Sequence, residues 1–211
     1  LSLHDALPIY SKNRYLCLIK AIEKSQVKCS VIKPVAIPQE PQIKLILIQA
    51  LTKPQTIDII IEKSVEIGIN SIKLFQATNS PLSFASWQNK QLRLAKIGRE
   101  AAKQCDRDQI MSINLYKNLE EILEETAAQT KILCNPYSQE SLFDNQKSLA
   151  KLCQNSTVIN YFIGPEGGFS PQEINLIKQQ NSCYSFNLGP FILKAETAAI
   201  MGGVVIKTLC H

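Results

Sequence analysis

The sequence has no long hydrophobic run and almost no histidine, and each shortage disfavours a class of protein. Its longest apolar-rich runs, 45–48 and 57–61, are far shorter than the roughly 20 residues that a membrane-spanning helix needs. The two histidines, His4 and His211, lie at opposite ends of the chain. This placement argues against a histidine-based catalytic triad and a histidine-rich metal site. The sequence therefore predicts a protein without a membrane span or a bound metal ion.

The seven cysteines argue against a small domain held together by disulfides. Their number is odd and no two form a C-x-x-C pair, so neither a disulfide framework nor a zinc site is indicated. We expect reduced thiols in a cytoplasmic protein, most of them in the core. The 211 residues, 45% hydrophobic and 19% charged, have the composition of a folded globular protein. The net charge of +5 is compatible with an RNA partner without requiring one.

The first forty residues differ from the rest and predict a separate unit. Residues 1–9 resemble a translated sequencing-adapter read-through, so we expect a non-native segment there and a natural N-terminus that has been lost. Residues 15–32 hold two apolar-alternating runs around the polar turn 23–26, which is typical of a β-hairpin. The prolines of 34–41 indicate a linker. We therefore divide the chain into residues 1–9, a β unit over 10–40 and a main domain over 41–211.

After residue 41, short β-rich runs alternate with helical periods, which predicts an α/β domain. Alternating strands and helices form a mostly parallel sheet with helices on both faces. Ligands in such folds bind at loops beyond the carboxyl ends of the strands. The predicted strands are 43–49, 71–76, 110–113, 131–134, 158–163 and 184–188. The predicted helices are 56–67, 87–104, 119–127, 140–152, 171–180 and 196–209.

The most informative segment is 159–173, whose apolar strand stops at Gly164. The glycines that follow can adopt backbone conformations closed to other residues, and they permit close approach to a ligand. Ser170, Pro171 and Glu173 then match the N-cap, N1 and N3 positions of a helical capping box. The segment is compatible with a tight strand-to-helix turn and with a ligand-binding loop. It matches neither a Walker loop nor a dinucleotide fingerprint, which disfavours a nucleotide-phosphate site.

A second segment, 187–199, also ends a strand at a glycine, Gly189. An apolar loop with one lysine and one glutamate then leads into a helix rich in small residues. The segment is explained either by a buried, packed connection or by an apolar pocket of adenine size, edged by backbone donors and acceptors.

Together the two segments resemble the RsmE family of SPOUT methyltransferases. The matching residues read G-P-E-G-G-F-S-x-x-E-I from Gly164 and L-G-P-x-I-L-K-x-E-T-A from Leu188. Three upstream segments, 51–53, 63–68 and 100–107, match further family patterns, so the resemblance spans about residues 43–208. This family methylates N3 of a uridine in 16S ribosomal RNA with S-adenosylmethionine.

The resemblance implies a fold, an assembly and a cofactor site. The main domain would be a SPOUT-type parallel sheet with a C-terminal trefoil knot, preceded by the remnant of a PUA-like RNA-binding β-barrel. The protein would be a cytoplasmic homodimer that acts on the small ribosomal subunit. S-adenosylmethionine would lie in the knot loops. The residues implied to bind it are Cys134, Asn135, Ile163, Gly164, Glu166, Gly167, Leu188, Gly189, Ile192 and Leu193.

The chemistry of such an enzyme identifies candidate catalytic residues. The sulfonium methyl is already activated, so the enzyme must mainly position uracil N3 and assist the loss of its proton. Because N3 is hidden in a base pair, the target must be single-stranded or flipped out. Without a usable histidine, the candidates are Glu166, Lys194, Glu196 and Arg107. Glu196 is also explained as a carboxylate at a helix N-terminus, where the helix dipole favours it.

Basic residues on the predicted helix 87–104 indicate an RNA-binding face. Between residues 86 and 107, six basic residues face two acidic ones. If the helix continues to Arg107, four of the basic residues share one side, namely Lys96, Arg99, Lys103 and Arg107. The core stripe would then consist of Leu94, Ile97, Ala101 and Cys105. A charged stripe is often only a solvated face, but this concentration favours phosphate contact. The residues selected for RNA contact are Lys96, Arg99, Lys103, Gln104 and Arg107.

Three positions depart from the family pattern. Lys194 and Phe191 stand where arginine is usual, and Asn79 replaces the arginine of an upstream T-x-R-S pattern. Lysine keeps the charge but loses the planar fork of arginine. Two alternatives therefore stay open besides the uridine-N3 methyltransferase. One is an RNA-binding or ribosome-assembly module that has lost turnover, and the other is a ribose 2′-O-methyltransferase of the same superfamily.

Overall fold

The computed structural model describes residues 14–35 and 43–210, which belong to two compact units, 1–40 and 41–211. In the first unit, β1 (Arg14–Ile22) and β2 (Val27–Val35) form an antiparallel hairpin. The Glu23 amide donates to the Gln26 carbonyl at 2.8 Å and closes the turn. The predicted hairpin is therefore confirmed, whereas the segment 1–9 lies outside the described residues.

The second unit alternates strands and helices around one parallel sheet. Its strands are β3 (Lys44–Ala50), β4 (Ser71–Phe75), β5 (Ser112–Tyr116), β6 (Thr130–Cys134), β7 (Val158–Ile163) and β8 (Cys183–Phe186). Its helices are α1 (Pro54–Glu66), α2 (Ala85–Gln88), α3 (Gln91–Gln104), α4 (Leu119–Glu125), α5 (Gln146–Gln154), α6 (Pro171–Lys178) and α7 (Ala195–Leu209). The strand order is β5-β4-β3-β7-β6-β8, and every pairing is parallel. The predicted α/β class is confirmed.

Helices cover both faces of this sheet, which explains why its central strands are mostly apolar. Neighbouring residues of a strand point to opposite faces, so Leu47 and Ile48 belong to different cores. Residues of α1, α3, α5 and α7 share a core with Leu47, and residues of α4 and α6 share one with Ile48. Within residues 14–35 and 43–210, no helix combines the length and apolar content that crossing a membrane requires.

The predicted helix 87–104 is interrupted in the structure, although its predicted end at Gln104 is confirmed. It is divided into α2 and α3, and Asn89 caps the first of these. The second helix ends at Gln104, because Asp106 has a φ of 58° and reverses the chain. The helix therefore does not continue to Arg107, and the prediction that this residue belongs to the basic stripe of the helix is wrong.

Two other predicted elements begin later than expected. The helix predicted from residue 140 begins at Gln146, because the preceding residues lie along Asn187. The Asn187 amide donates to the Glu140 carbonyl at 2.8 Å, and the Leu142 amide donates to the Asn187 carbonyl at 2.9 Å. These bonds need an extended chain, which a helix cannot provide. The strand predicted over 110–113 is shifted to β5.

The cysteines are not all free thiols. Cys153 in α5 and Cys210, just after α7, form a disulfide with their Cα atoms 5.0 Å apart. The expectation of reduced thiols is therefore wrong for this pair. The two residues are 57 positions apart in sequence and meet only because α5 packs against α7. The free cysteines are Cys17, Cys29, Cys105, Cys134 and Cys183.

Candidate functional site

A cleft of about 290 Å³ opens at the carboxyl edge of the sheet. Its walls are the connections that follow β6, β7 and β8, so three segments that are distant in sequence meet there. The cleft includes every predicted cofactor-binding residue except Leu188 and Gly189. Those that line it are Cys134, Asn135, Ile163, Gly164, Glu166, Gly167, Ile192 and Leu193.

The cleft combines apolar side chains with backbone donors. Ile163, Ile192 and Leu193 contribute the apolar surface. The amides of Ile192 and Leu193 make no hydrogen bond to any residue in the described part of the chain. The α7 helix begins at the cleft with Ala195, and its N-cap side chain makes no capping bond. The first amides of this helix are therefore also available to a ligand.

The turn after β7 is fixed at its far end by the capping box that the sequence predicts. Ser170 Oγ accepts a hydrogen bond from the Glu173 amide at 3.3 Å, and Glu173 Oε2 accepts one from the Ser170 amide at 2.7 Å. Gly167 lies against Asn79, because a Cβ added to the glycine would be 3.1 Å from the Asn79 Cβ. No larger residue fits at 167 without moving this neighbour.

Leu188 and Gly189 lie in the connection that leads to the third wall. Leu188 is buried in the core, and Gly189 has a φ of 106°, a conformation that favours glycine. The Gly189 amide donates to Asn187 Oδ1 at 3.0 Å. Leu188 and Gly189 determine the path of the chain toward Ile192, but they do not line the cleft.

The four candidate catalytic residues occupy different places. Glu166 is exposed and lines the cleft. Lys194, the exposed N-cap of α7, and the half-buried Glu196 flank the cleft residue Ala195. Arg107 is elsewhere: its Nη1 donates to the Ile69 carbonyl at 2.7 Å.

Ile69 precedes β4, so the carbonyl that Arg107 binds lies at the amino edge of the sheet. A five-residue strand spans roughly 16 Å. Arg107 is therefore separated from the cleft of its own chain by about the length of the sheet, and the structure does not bring it together with the other three candidates.

The basic residues of α3 form an exposed but partly neutralised surface. Lys96, Arg99, Lys103 and Gln104 are all exposed. The Lys103 ammonium lies 3.2 Å from the Glu100 carboxylate. Lys96 and Arg99 form no ion pair with any residue that the structure describes. These two side chains are the most available cations of the predicted RNA face.

The sequence interpretation missed several residues that line the cleft, most of which lie within two positions of residues that it selected. They are Pro136, Tyr137, Pro165, Gly168, Phe169, Ile174, Ala195 and Ala198. Extending each predicted wall by a few positions finds most of them. Within the described ranges, no group of three or more histidine, cysteine, aspartate or glutamate side chains is arranged to hold a metal ion.

Known proteins resemble the chain over nearly its whole length. The RNA methyltransferase domain family matches residues 38–206. Ribosomal RNA small subunit methyltransferase E from Mesomycoplasma hyopneumoniae is 31% identical over 193 residues, which cover 91% of this chain and 80% of that protein. The protein of the same name from Bacillus subtilis is 28% identical over 191 residues, which cover 87% of this chain and 73% of that protein.

A solved structure extends the likeness to the fold. It is described as a methyltransferase from Legionella pneumophila in complex with its cofactor S-adenosylmethionine. It superposes with a TM-score of 0.81 at 25% identity and covers 96% of this chain and 81% of its own. The parallel sheet and its helices are therefore those of a known methyltransferase fold.

We predict that the Cys134 thiol resists alkylation in the folded protein. Burial raises the pKa of Cys134 to about 12, so the thiol stays protonated near neutral pH as well as shielded. The exposed Cys29 is the matched control. Iodoacetamide labelling followed by peptide mass spectrometry should modify Cys29 much faster than Cys134. Equal labelling rates in the native protein would contradict the buried position of this wall.

Proposed function

This chain belongs to the RNA methyltransferase domain family, together with the ribosomal RNA small subunit methyltransferases E, and we propose that it methylates N3 of a uridine in 16S ribosomal RNA. The methyl donor is S-adenosylmethionine, the cofactor held by the related Legionella structure. The observation that carries the proposal is the meeting of the two glycine-broken segments in one cleft.

The residues of the cleft fit the methyl donor in chemistry. Ile163, Ile192 and Leu193 offer apolar surface to a purine, and the unpaired amides of Ile192 and Leu193 offer donors to its polar edge. The uncapped start of α7 offers further amides to a carboxylate. When bound, S-adenosylmethionine supplies an activated methyl group. The proposed binding site is completed by Cys134, Asn135, Gly164 and Gly167. Leu188 and Gly189 support it through the connection that leads to Ile192.

The charged residues beside the cleft suit the proton chemistry at uracil N3. Glu166 lines the cleft and is exposed, so its carboxylate can accept the N3 proton. Lys194 and Glu196 stand at the first turn of α7. The Lys194 ammonium can stabilise the uracil anion that develops. We do not assign Arg107 a catalytic role in the cleft of its own chain, because it binds backbone carbonyls at the opposite edge.

The path of the chain after β8 supports the trefoil knot that the family resemblance implies. From β8 at the edge of the sheet, the chain must pass β6 to reach α7, which packs on β3 and β7. The connection after β6 lies along Asn187 on this path. Crossing connections of this kind are what a knotted C-terminal region requires.

Exposed apolar side chains support a homodimer. Phe191, Ile192 and Tyr137 are each at least 75% exposed, and two of them line the cleft. Large apolar side chains exposed together are typical of a surface that another subunit covers. We propose that a second copy covers these residues and that the dimer works in the cytoplasm, where ribosomes are assembled.

The β1–β2 hairpin supports the proposal of a PUA-like remnant in the first unit. Ile22, Val31 and Ile32 are more than half exposed on it. A two-stranded hairpin alone is marginally stable in water. Apolar side chains on such a hairpin are explained if it formed part of a larger β unit.

A methyl-transfer assay tests the function. The substrate is the small ribosomal subunit from a strain that lacks the endogenous activity, and the donor is radiolabelled S-adenosylmethionine. We expect methyl incorporation and N3-methyluridine in the digested 16S RNA by mass spectrometry. A methylated ribose would favour the 2′-O-methyltransferase alternative, and RNA binding without incorporation would favour the assembly module. Either result would overturn the proposal.

We predict that Gly167→Val abolishes binding of S-adenosylmethionine and leaves the fold largely intact. The new side chain would meet Asn79 and displace the turn that lines the cleft. Gly168→Ala is the milder comparison, because its Cβ would meet no atom within 4 Å and only its φ of 70° would be strained. Calorimetry should show no binding for Gly167→Val and a loss of about tenfold for Gly168→Ala. Normal binding by Gly167→Val would show that the turn is not part of the site.

We also predict that exchanging Lys96, Arg99 and Lys103 together for glutamine weakens RNA binding. Each phosphate contact contributes about 0.7 (single strands) to 0.9 (duplex) to the negative slope of log affinity against log salt concentration. The slope should therefore fall by about two to three, with Lys103 contributing least because Glu100 pairs with it. Exchanging the exposed Lys147, Lys151 and Lys178 is the control with equal charge loss. The same change of slope in both variants would contradict a localised RNA face.

A further inference from the structure

We propose that Asn79 is a positioning residue that holds the glycine turn 164–168 in its donor-binding shape. The inference rests on the proposed function, because it takes S-adenosylmethionine as the ligand of that turn. Asn79 Nδ2 donates to the Gly167 carbonyl at 3.3 Å and to the Gly168 carbonyl at 3.0 Å. One side chain thus binds two successive carbonyls of the segment that lines the cleft.

The glycine turn needs such a contact because its own residues do little to fix its shape. Gly167 and Gly168 have no side chains and have access to a wide range of backbone conformations. Ordering such a segment during binding costs conformational entropy and weakens affinity. A side chain that orders the turn beforehand therefore raises affinity for the donor. Asn79 is not among the residues that line the cleft, so it acts through the turn.

The backbone that carries Asn79 is itself anchored to the far end of the same segment. The Thr78 amide donates to Glu173 Oε1 at 2.8 Å. The other carboxylate oxygen of Glu173, which is buried, accepts the capping bond from Ser170. Ser80 Oγ accepts from the Ala77 amide at 3.0 Å and closes the loop. The loop 77–80 is therefore held in place, and Asn79 is presented to the turn by a fixed backbone.

The loop 77–80 and the glycine turn pack closely together because position 167 is glycine. A Cβ at position 167 would lie 3.1 Å from the Asn79 Cβ, so the glycine lets the asparagine approach closely enough for its amide to reach both carbonyls. The Asn79 amide lies 3.3 Å from the Gly167 oxygen and 3.0 Å from the Gly168 oxygen, which leaves no room for a water between them. The contact is direct, and loss of the amide donor removes it.

The test compares Asn79→Asp and Asn79→Ala with the wild-type protein. Aspartate has nearly the size of asparagine, but it lacks the Nδ2 donor and would face the two carbonyls with an oxygen. We expect both variants to bind S-adenosylmethionine about tenfold more weakly, as the loss of one to two net hydrogen bonds implies. Asn89→Asp, an exposed residue of the connection between β4 and α3, is the control and should bind normally.

Kinetics separate positioning from a structural defect. The KM for the donor should rise about tenfold while kcat at saturating donor changes less than about twofold. If Asn79→Asp lowers the melting temperature markedly, the uncharged Asn79→Ala decides the result. Wild-type affinity in that variant, or in a stable Asn79→Asp, would overturn the inference and leave the proposed function standing. Absence of donor binding by the wild-type protein would overturn both.

Discussion

The carboxyl ends of parallel strands lie at one edge of a sheet, and this constraint creates the cleft. The connections after β6, β7 and β8 meet there although they are far apart in sequence. The position of α7 completes the arrangement. A Cβ at Gly203 would lie 2.8 Å from the Tyr161 hydroxyl, so only glycine lets the helix pack this closely on β7. Tyr161 also donates to the Ala199 carbonyl at 3.2 Å, which holds the first half of α7 beside the cleft.

The segment after β4 connects the proposed donor site with the proposed RNA face. The loop after β4 contacts the glycine turn through Asn79 and the capping box through Thr78. The chain then continues through α2 into α3, which carries Lys96 and Arg99.

The sequence was sufficient where local pattern determines structure. The strand over 158–163 and the capping box of Ser170 and Glu173 depend on neighbouring residues, and both were predicted. The sequence was insufficient to predict structure where a residue distant in sequence determines the local conformation. The chain before α5 is extended because its backbone pairs with that of Asn187. Arg107 lies beyond the end of α3, and its side chain binds a carbonyl that precedes β4. Lys131 lies in a strand, yet it is buried and donates to three carbonyls of the turn after α4, including that of Thr126 at 2.7 Å. The residues proposed to bind the donor were named from the family resemblance, and the structure brings eight of those ten together in one cleft.

A crystal structure of the protein grown with S-adenosylmethionine tests the central claim most directly. The adenosyl group should lie between the Ile163–Gly167 wall and the Ile192–Leu193 wall, with its methyl group directed toward the rim that carries Glu166. Density for the donor anywhere else, such as the groove between α1 and α3 lined by Glu62 and Lys96, would contradict the assignment of this cleft.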